Sequence, residues 1–302
     1  MKTIFRYRLG HFRGQILGWG ISLALYGLMM VQFYGTIVDQ RDQFEKLLDS
    51  YPKEMVAFFG NFDSFVTPSG YLGIEYFSYM PLILGIFVVL IGSGLLASDE
   101  ESGRLDLVMA YPISRTALFW GRLSAFAVAT LAILFLMWLG IAIPSRWTEL
   151  NVVSVIQMAQ PFVSLFAVLM LFAALALLLS LVMPARRMAA MMAGMLLVAS
   201  FLIVGLANIN PDLVPIAKLS PLNYYDGGEA INSLNMVWLV GLLVPAALLA
   251  LFAWWQFERR DIRVGGEGAW QLPAARRLAR LLPRRQTPRR DVPAPETVAA
   301  RR

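Results

Sequence analysis

The chain has 302 residues, of which 58% are hydrophobic and only 15% are charged, and its formal net charge is +6 with no cysteine. Soluble domains average roughly 45–50% apolar and about 25% charged residues, so this composition excludes an ordinary soluble fold. The lack of cysteine excludes a disulfide framework, thiolate metal ligands and a cysteine nucleophile. We expect an all-α integral membrane protein.

The N-terminal segment is basic and precedes the first apolar run. Gly10, Gly14 and Gly18 follow one another at four-residue spacing among basic residues and phenylalanines. This pattern predicts an amphipathic elbow helix in the inner headgroups. His11, the single histidine, is interpreted as a surface residue rather than a metal ligand, and no metal site is expected.

Six apolar runs approach the roughly 20 residues that cross a bilayer. They cover about residues 16–35, 76–97, 117–143, 160–183, 188–207 and 236–257. The first run resembles a secretory signal, but it is longer than a signal core and no small-x-small cleavage site follows, which indicates a retained signal anchor. Six spans place both termini on the same side.

The orientation follows from lysine and arginine, which accumulate in cytoplasmic loops. With the N-terminus inside, 21 of the 26 basic residues lie inside and five lie outside. Without the 12 that follow residue 258, the inside excess is still nine to five. We therefore predict that both termini and the loop at 98–122 are cytoplasmic.

The loop at about residues 36–75 is the large extracytoplasmic loop of this topology. It holds seven acids and three bases. Two short amphipathic helices, at 40–48 and 52–59, are expected to cap the outer mouth. The acidity could favour a cationic cargo, although solvated acids are the ordinary state of such a loop.

The predicted spans contain few residues that could act in catalysis or in proton or ion transport. Ser93 resembles the nucleophile of an intramembrane serine protease, but Ile91 stands where the glycine two positions earlier should be, and close helix packing explains the small residues better. No ionisable residue lies deep in a drawn span. Arg122 and Glu258 lie at span ends, where side chains can snorkel. Proton- or ion-coupled carriers generally place ionisable residues near mid-membrane, so energy for transport should enter from outside the membrane.

The stretch ASDEESGRLDLVMAYPISRTALFWGRL, residues 97–123, lies between spans two and three. Ser98 and Glu101 have the spacing of a capping box, with acids in the first helical turn. Leu105, Val108 and Met109 would share one helix face. Pro112 should end this helix, and Ser114 should cap the next. On these grounds alone, the segment could equally be an amphipathic loop on the headgroups.

The run from Glu101 to Arg115 resembles the signature of permeases of the type-2 ABC exporter superfamily. The positions that match this signature are Gly103, Leu105, Asp106, Pro112, Ser114 and Arg115, while Arg104 replaces the usual threonine. LSPLNYYDGG, residues 219–228, is similar to the S-P-x-x-Y stretch that the family carries before its last span.

The resemblance implies that residues 98–111 form a coupling helix in a groove of a separate ATPase subunit. Glu100, Glu101 and Asp106 would meet basic groups of the ATPase, while Leu105 and Met109 would pack into its cleft. The predicted coupling set is Glu100, Glu101, Gly103, Leu105, Asp106, Met109, Pro112, Ser114 and Arg115. The loop at 184–187 could be a second, smaller contact, although positive-inside anchoring also explains its two arginines.

The partners follow from the same resemblance. Two permeases, the second a copy or a paralogue, would work with two ATPase subunits. The chain has no GxxxxGK[ST] phosphate loop, so we expect no catalytic residue or cofactor here and expect the partner ATPase to bind ATP and Mg. An ATP-independent carrier or channel, and an intramembrane enzyme, are the alternatives.

The sequence predicts two parts. Residues 1–264 would be the six-span permease domain of a bacterial inner-membrane protein, and residues 265–302 a basic cytoplasmic tail. From residue 258 onward the chain holds 12 arginines and five acids, a composition that favours disorder and contact with anionic lipid. No nucleic-acid partner is expected.

Overall fold

The computed structural model describes residues 1–40 and 67–260. The two helices predicted at 40–48 and 52–59 in the outer loop, and the tail at 265–302, therefore lie outside the described residues, apart from Gln40. Within the described ranges all regular structure is helical, with no strand, which confirms the all-α class.

Eleven α-helices make up the described chain, and we number them in order. They are α1 (Lys2–His11), α2 (Arg13–Asp39), α3 (Pro68–Leu72), α4 (Met80–Gly94), α5 (Ala97–Glu101), α6 (Arg104–Met109), α7 (Arg115–Ala142), α8 (Gln160–Val182), α9 (Arg186–Ala207), α10 (Val214–Ala217) and α11 (Met236–Arg259). A π-helical segment, Gly73–Phe77, joins α3 to α4 through Ser78 and Tyr79. Short 3₁₀ turns occupy Pro144–Trp147, Glu149–Val152, Gln157–Ala159, Pro211–Leu213, Pro221–Tyr224 and Gly227–Ile231.

Six helical segments of the described chain are long and apolar enough to cross a membrane, which confirms the predicted number. They are Arg13–Asp39, Pro68–Gly94, Arg115–Trp147, Gln157–Val182, Arg186–Ala207 and Met236–Arg259. We call them spans one to six. The chain is a multi-pass membrane protein.

Span two differs from the prediction because it begins at Pro68, not at residue 76. Thr67 caps its first turn by accepting a hydrogen bond from the Gly70 amide at 3.2 Å. The π-helical turns then continue the helix to α4 and carry Glu75. Glu75 therefore lies inside a span, seven residues or about 10 Å of helix from Pro68, contrary to the expectation that no acid would lie there.

Small residues set the closest helix contacts. A Cβ on Gly140 in span three would lie 2.3 Å from the Ala24 carbonyl oxygen in span one, and a Cβ on Gly92 in span two would lie 2.8 Å from the Ala173 oxygen in span four. Ser93 is fully buried beside Gly92 and donates to the Leu90 carbonyl at 3.1 Å. Close helix packing therefore accounts for Gly92 and Ser93, as the sequence predicted.

The spans run in alternating directions, so the loops gather at two ends of the bundle. One end carries α5 and α6 and also α1, whose Ile4 lies against Gly121 near the start of span three. We call it the triad end, after three acids in α5 that are described below. A helix, α1, therefore precedes span one, while its role as an amphipathic elbow helix in the headgroups stays a prediction.

Candidate functional site

The segment between spans two and three folds as two short helices rather than one. Gly103 has a φ of +67° between α5 and α6, a left-handed conformation that glycine adopts without steric cost. The single coupling helix predicted over 98–111 is therefore divided at Ser102 and Gly103. Ser114 caps span three as expected, because its Oγ accepts from the Ala117 amide at 3.2 Å.

The predicted capping box does not form. Helix α5 begins one residue earlier than Ser98, and its N-cap, Leu96, makes no side-chain hydrogen bond. The Glu101 carboxylate instead accepts a hydrogen bond from the Arg186 amide at 2.8 Å. Because Arg186 is the first residue of span five, Glu101 caps that helix, where the helix dipole favours a negative charge.

Asp99, Glu100 and Glu101 form what we call the acidic triad, and each of them bonds to a residue in, or directly after, a different span. Asp99 Oδ2 lies 2.6 Å from Nη2 of Arg122 in span three. Nη1 of Arg122 also donates to the Leu95 carbonyl at 2.7 Å, just after α4. Only 7% of the Arg122 side chain is exposed. Contrary to the prediction, Arg122 does not snorkel to the membrane surface; it forms a buried ion pair with Asp99.

Glu100 faces the interior of the bundle. Its side chain is buried and pairs with Arg260, the residue that follows span six. Nη1 of Arg260 donates to the Leu181 carbonyl near the end of span four at 2.5 Å. Glu100 and Arg260 together thus connect α5 to spans four and six.

Arg115 supports the same arrangement from the start of span three. Its Nη1 contacts three main-chain carbonyls at the end of span six, those of Phe257, Glu258 and Arg260, at 3.2, 3.3 and 2.6 Å. The neighbouring Thr116 donates to the Glu258 carboxylate at 2.5 Å. The guanidinium therefore caps the carbonyls that end a helix, and spans three and six are fastened together at the triad end.

The predicted coupling residues divide into a buried and an exposed group. Glu100 and Leu105 are buried, and Met109 and Arg115 are half-buried. Glu101, Pro112 and Ser114 are exposed. Asp106 lies in α6, and its side chain is outside the described set. Glu100 and Leu105 therefore face the chain's own core, where the predicted contacts with an ATPase would not reach them in this conformation.

Sequence reasoning missed three members of this site. Asp99 and Arg260 hold the network together, and Tyr111 presents a large aromatic side chain that is 69% exposed. Tyr111 stands at a variable position of the signature, and Arg260 is one of the 12 basic residues after residue 258. No local sequence pattern therefore distinguishes either residue as a member of the site. Among the described residues, no three His, Asp or Glu side chains converge as a metal site would require.

Most of the chain matches a known family model. Residues 7–258 match the family model described as "Multidrug efflux system permease Rv1217c, C-terminal domain". The match includes spans one to five, span six as far as Glu258, the acidic triad and the exposed surface beside it. A comparison with curated proteins found no match.

Proposed function

Because the chain belongs to this family of ABC multidrug efflux permeases, we propose that it is the membrane subunit of an ATP-driven exporter. Two permeases, a pair of copies or of paralogues, form the export path. Separate ATPase subunits bind ATP and Mg and hydrolyse the nucleotide. The triad end faces the cytoplasm, and the complex resides in a bacterial inner membrane.

The connection of α5 and α6 to several spans at once supports this function. Asp99 bonds to span three, Glu101 bonds to span five, and Glu100 bonds to Arg260 after span six. Charge-assisted contacts of this kind are short and directional, and those of Asp99 and Glu100 are largely buried. A movement imposed on the short helices from outside the membrane is therefore transmitted to three spans without requiring any of them to unfold.

The docking surface for the ATPase is the exposed side of the same segment. Glu101, Arg104, Tyr111 and Pro112 are exposed there. Tyr111 supplies the aromatic anchor that interfaces commonly use, while Glu101 and Arg104 supply charges at the rim. Met109 and Asp106 remain proposed members of this surface, and Glu100 and Leu105 hold it in position.

Purification of the tagged chain from its native host in mild detergent tests the function, with mass spectrometry of the proteins that remain bound. We expect a stoichiometric ABC ATPase. Tyr111→Ala should reduce its recovery at least tenfold and leave the melting temperature unchanged. Tyr7→Ala removes another exposed tyrosine, from α1, and should retain the ATPase. Intact purified complexes that contain no ATPase would refute the proposal.

Glu75 favours a second candidate, an ATP-independent carrier. Its carboxylate makes no hydrogen bond or ion pair with the described residues, although Tyr26 donates to its main-chain carbonyl at 2.6 Å. Acids inside spans commonly mark proton or ion pathways, and π-helical turns are frequent at functional sites. Transport by the purified chain in proteoliposomes without ATPase, abolished by Glu75→Gln, would establish this alternative.

A further inference from the structure

A cavity of about 330 Å³ lies at the end of the bundle opposite the triad. It is lined by the start of span two, the end of span five and the loop at 222–229. Small-molecule sites in proteins have volumes of about 300–1,000 Å³. The cavity is thus large enough for a small ligand and shares no residue with the network at the triad end.

Glycine contacts bring the loop into place against span two. A Cβ on Gly228 would lie 2.3 Å from the Cα of Gly73 and 2.4 Å from the Ser69 carbonyl oxygen. Gly227 has a φ of +53°, which glycine tolerates best. Side chains larger than hydrogen at 228 would push the loop away and open the cavity wall.

Hydrogen bonds from the loop hold the remaining walls. The Tyr225 hydroxyl donates to the Phe77 carbonyl at 3.1 Å, and the Asp226 amide donates to Ser164 Oγ at 3.2 Å. Asn232 Nδ2 donates to Ser69 Oγ at 3.1 Å. The loop is therefore bonded to spans two and four, so the cavity is preformed.

The lining combines two acids with apolar side chains. Asp226 and Glu229 are its charged residues, and neither lysine nor arginine is among the lining residues. Neither acid forms an ion pair with the described residues, although Asp226 Oδ2 accepts from the Asn235 amide at 3.0 Å and Glu229 Oε2 accepts from Asn232 at 3.3 Å. The apolar part of the wall includes Ile74, Pro81, Phe201, Val204 and Leu222.

We propose that this cavity binds an amphipathic organic cation. The cationic group lies between Asp226, which is half-buried, and Glu229 at the exposed rim, and the apolar group packs against Phe201 and Val204. A charge pair in a partly desolvated cavity is stronger than the same pair in water, and the Phe201 and Tyr225 rings add attraction for a cation. The assignment of such a ligand as cargo rests on the proposed export function, but its binding does not.

Binding of benzyltrimethylammonium to the purified full chain in detergent tests the proposal, with benzenesulfonate as an anion of similar size. Saturation-transfer NMR or calorimetry should detect the cation and no anion. The pair Asp226→Asn and Glu229→Gln should weaken cation binding at least tenfold. Glu149→Gln is the matched control, because this exposed acid lies outside the cavity lining and its loss should leave binding unchanged.

A second variant changes the cavity without changing its charge. Val204→Trp fills the apolar part and should also weaken binding at least tenfold, with the melting temperature of each variant recorded. Equal affinity of the original chain and the double acid variant would overturn the proposal, as would equal binding of benzenesulfonate. If the unaltered chain purifies with an ATPase but does not bind the cation, the proposed site is refuted and the export function is not. If it binds the cation but purifies without an ATPase, the export function is refuted and the site is not.

Discussion

Replacement of Asp99 by asparagine should cost more stability than replacement of its partner Arg122. The Arg122 side chain is 7% exposed and the Asp99 side chain 16% exposed. Asp99→Asn leaves a buried guanidinium without its counter-charge, while Nη1 of Arg122 still donates to the Leu95 carbonyl. Breaking a buried pair from one side costs about 3–5 kcal/mol. We expect about 3 kcal/mol, because water reaches part of Asp99.

Arg122→Met should cost less stability, because the Asp99 carboxylate that remains still has another partner. Asp99 Oδ1 lies 3.7 Å from Nε of Arg104, whose side chain is 65% exposed, so its charge keeps a partner and some water. We expect a loss of about 1–2 kcal/mol, mainly for the unpaired Leu95 carbonyl. The double variant should lose only about 1 kcal/mol, since it removes both charges and leaves neither of them buried without its partner. The coupling energy is then about 3–4 kcal/mol.

Thermal unfolding of the purified chain in one detergent measures this difference. With about 2–4 °C per kcal/mol for a chain of this size class, Asp99→Asn should lower the melting temperature by about 6–12 °C. Glu101→Gln removes the exposed acid of the same triad and should shift it much less. Equal shifts for Asp99→Asn and Arg122→Met, or additive losses in the double variant, would show that the ion pair does not set the stability of α5.

Three further predictions concern other contacts. Gly140→Ala should destabilise the bundle by at least about 2 kcal/mol, because its Cβ would lie 2.3 Å from the Ala24 oxygen, whereas Gly194→Ala has open space and should be neutral or stabilising in denaturation assays. Arg115→Ala should increase hydrogen exchange at residues 257–260 through loss of the carbonyl contacts, and unchanged exchange would contradict this capping role. Burial raises the pKa of Asp226, so its contribution to stability is greatest below its unfolded pKa and is lost as pH rises through the higher folded pKa. Asp226→Asn should flatten this part of a pH titration of the melting temperature. Glu229 and Tyr225 are the other titratable residues that line the cavity.

The number of spans and their approximate positions were predictable because each span needs a long apolar run, whatever its neighbours are. The start of span two was not. Pro68, Ser69, Gly70 and Gly73 give the first turns the composition of a loop. Tertiary packing of the 227–231 loop against Gly73 stabilises helical turns there, and such packing leaves no signal in a hydropathy window.

Local sequence patterns predicted some of the contacts at the triad end and missed others. Ser114 caps its helix as predicted because N-capping involves residues only three positions apart. The Ser98 to Glu101 pattern has the same local form, yet Glu101 bonds to Arg186, 85 positions away in the chain. The partners of Asp99 and Glu100 are also distant in sequence. Local spacing identifies a residue's capacity for such bonds and cannot identify the partner.

This division of the acidic triad determines how ATPase coupling should be tested. A lysine at Glu101 would remove the cap of span five as well as any contact with an ATPase, so loss of activity in that variant has two explanations. The main chain of Tyr111 forms turn hydrogen bonds with Val108 and Ile113, and its side chain is exposed. Removing that side chain changes the docking surface and leaves in place the ion pairs and hydrogen bonds that connect the acidic triad to spans three, five and six. Loss of ATPase binding in Tyr111→Ala at an unchanged melting temperature therefore assigns docking to this surface, because the network behind it is intact.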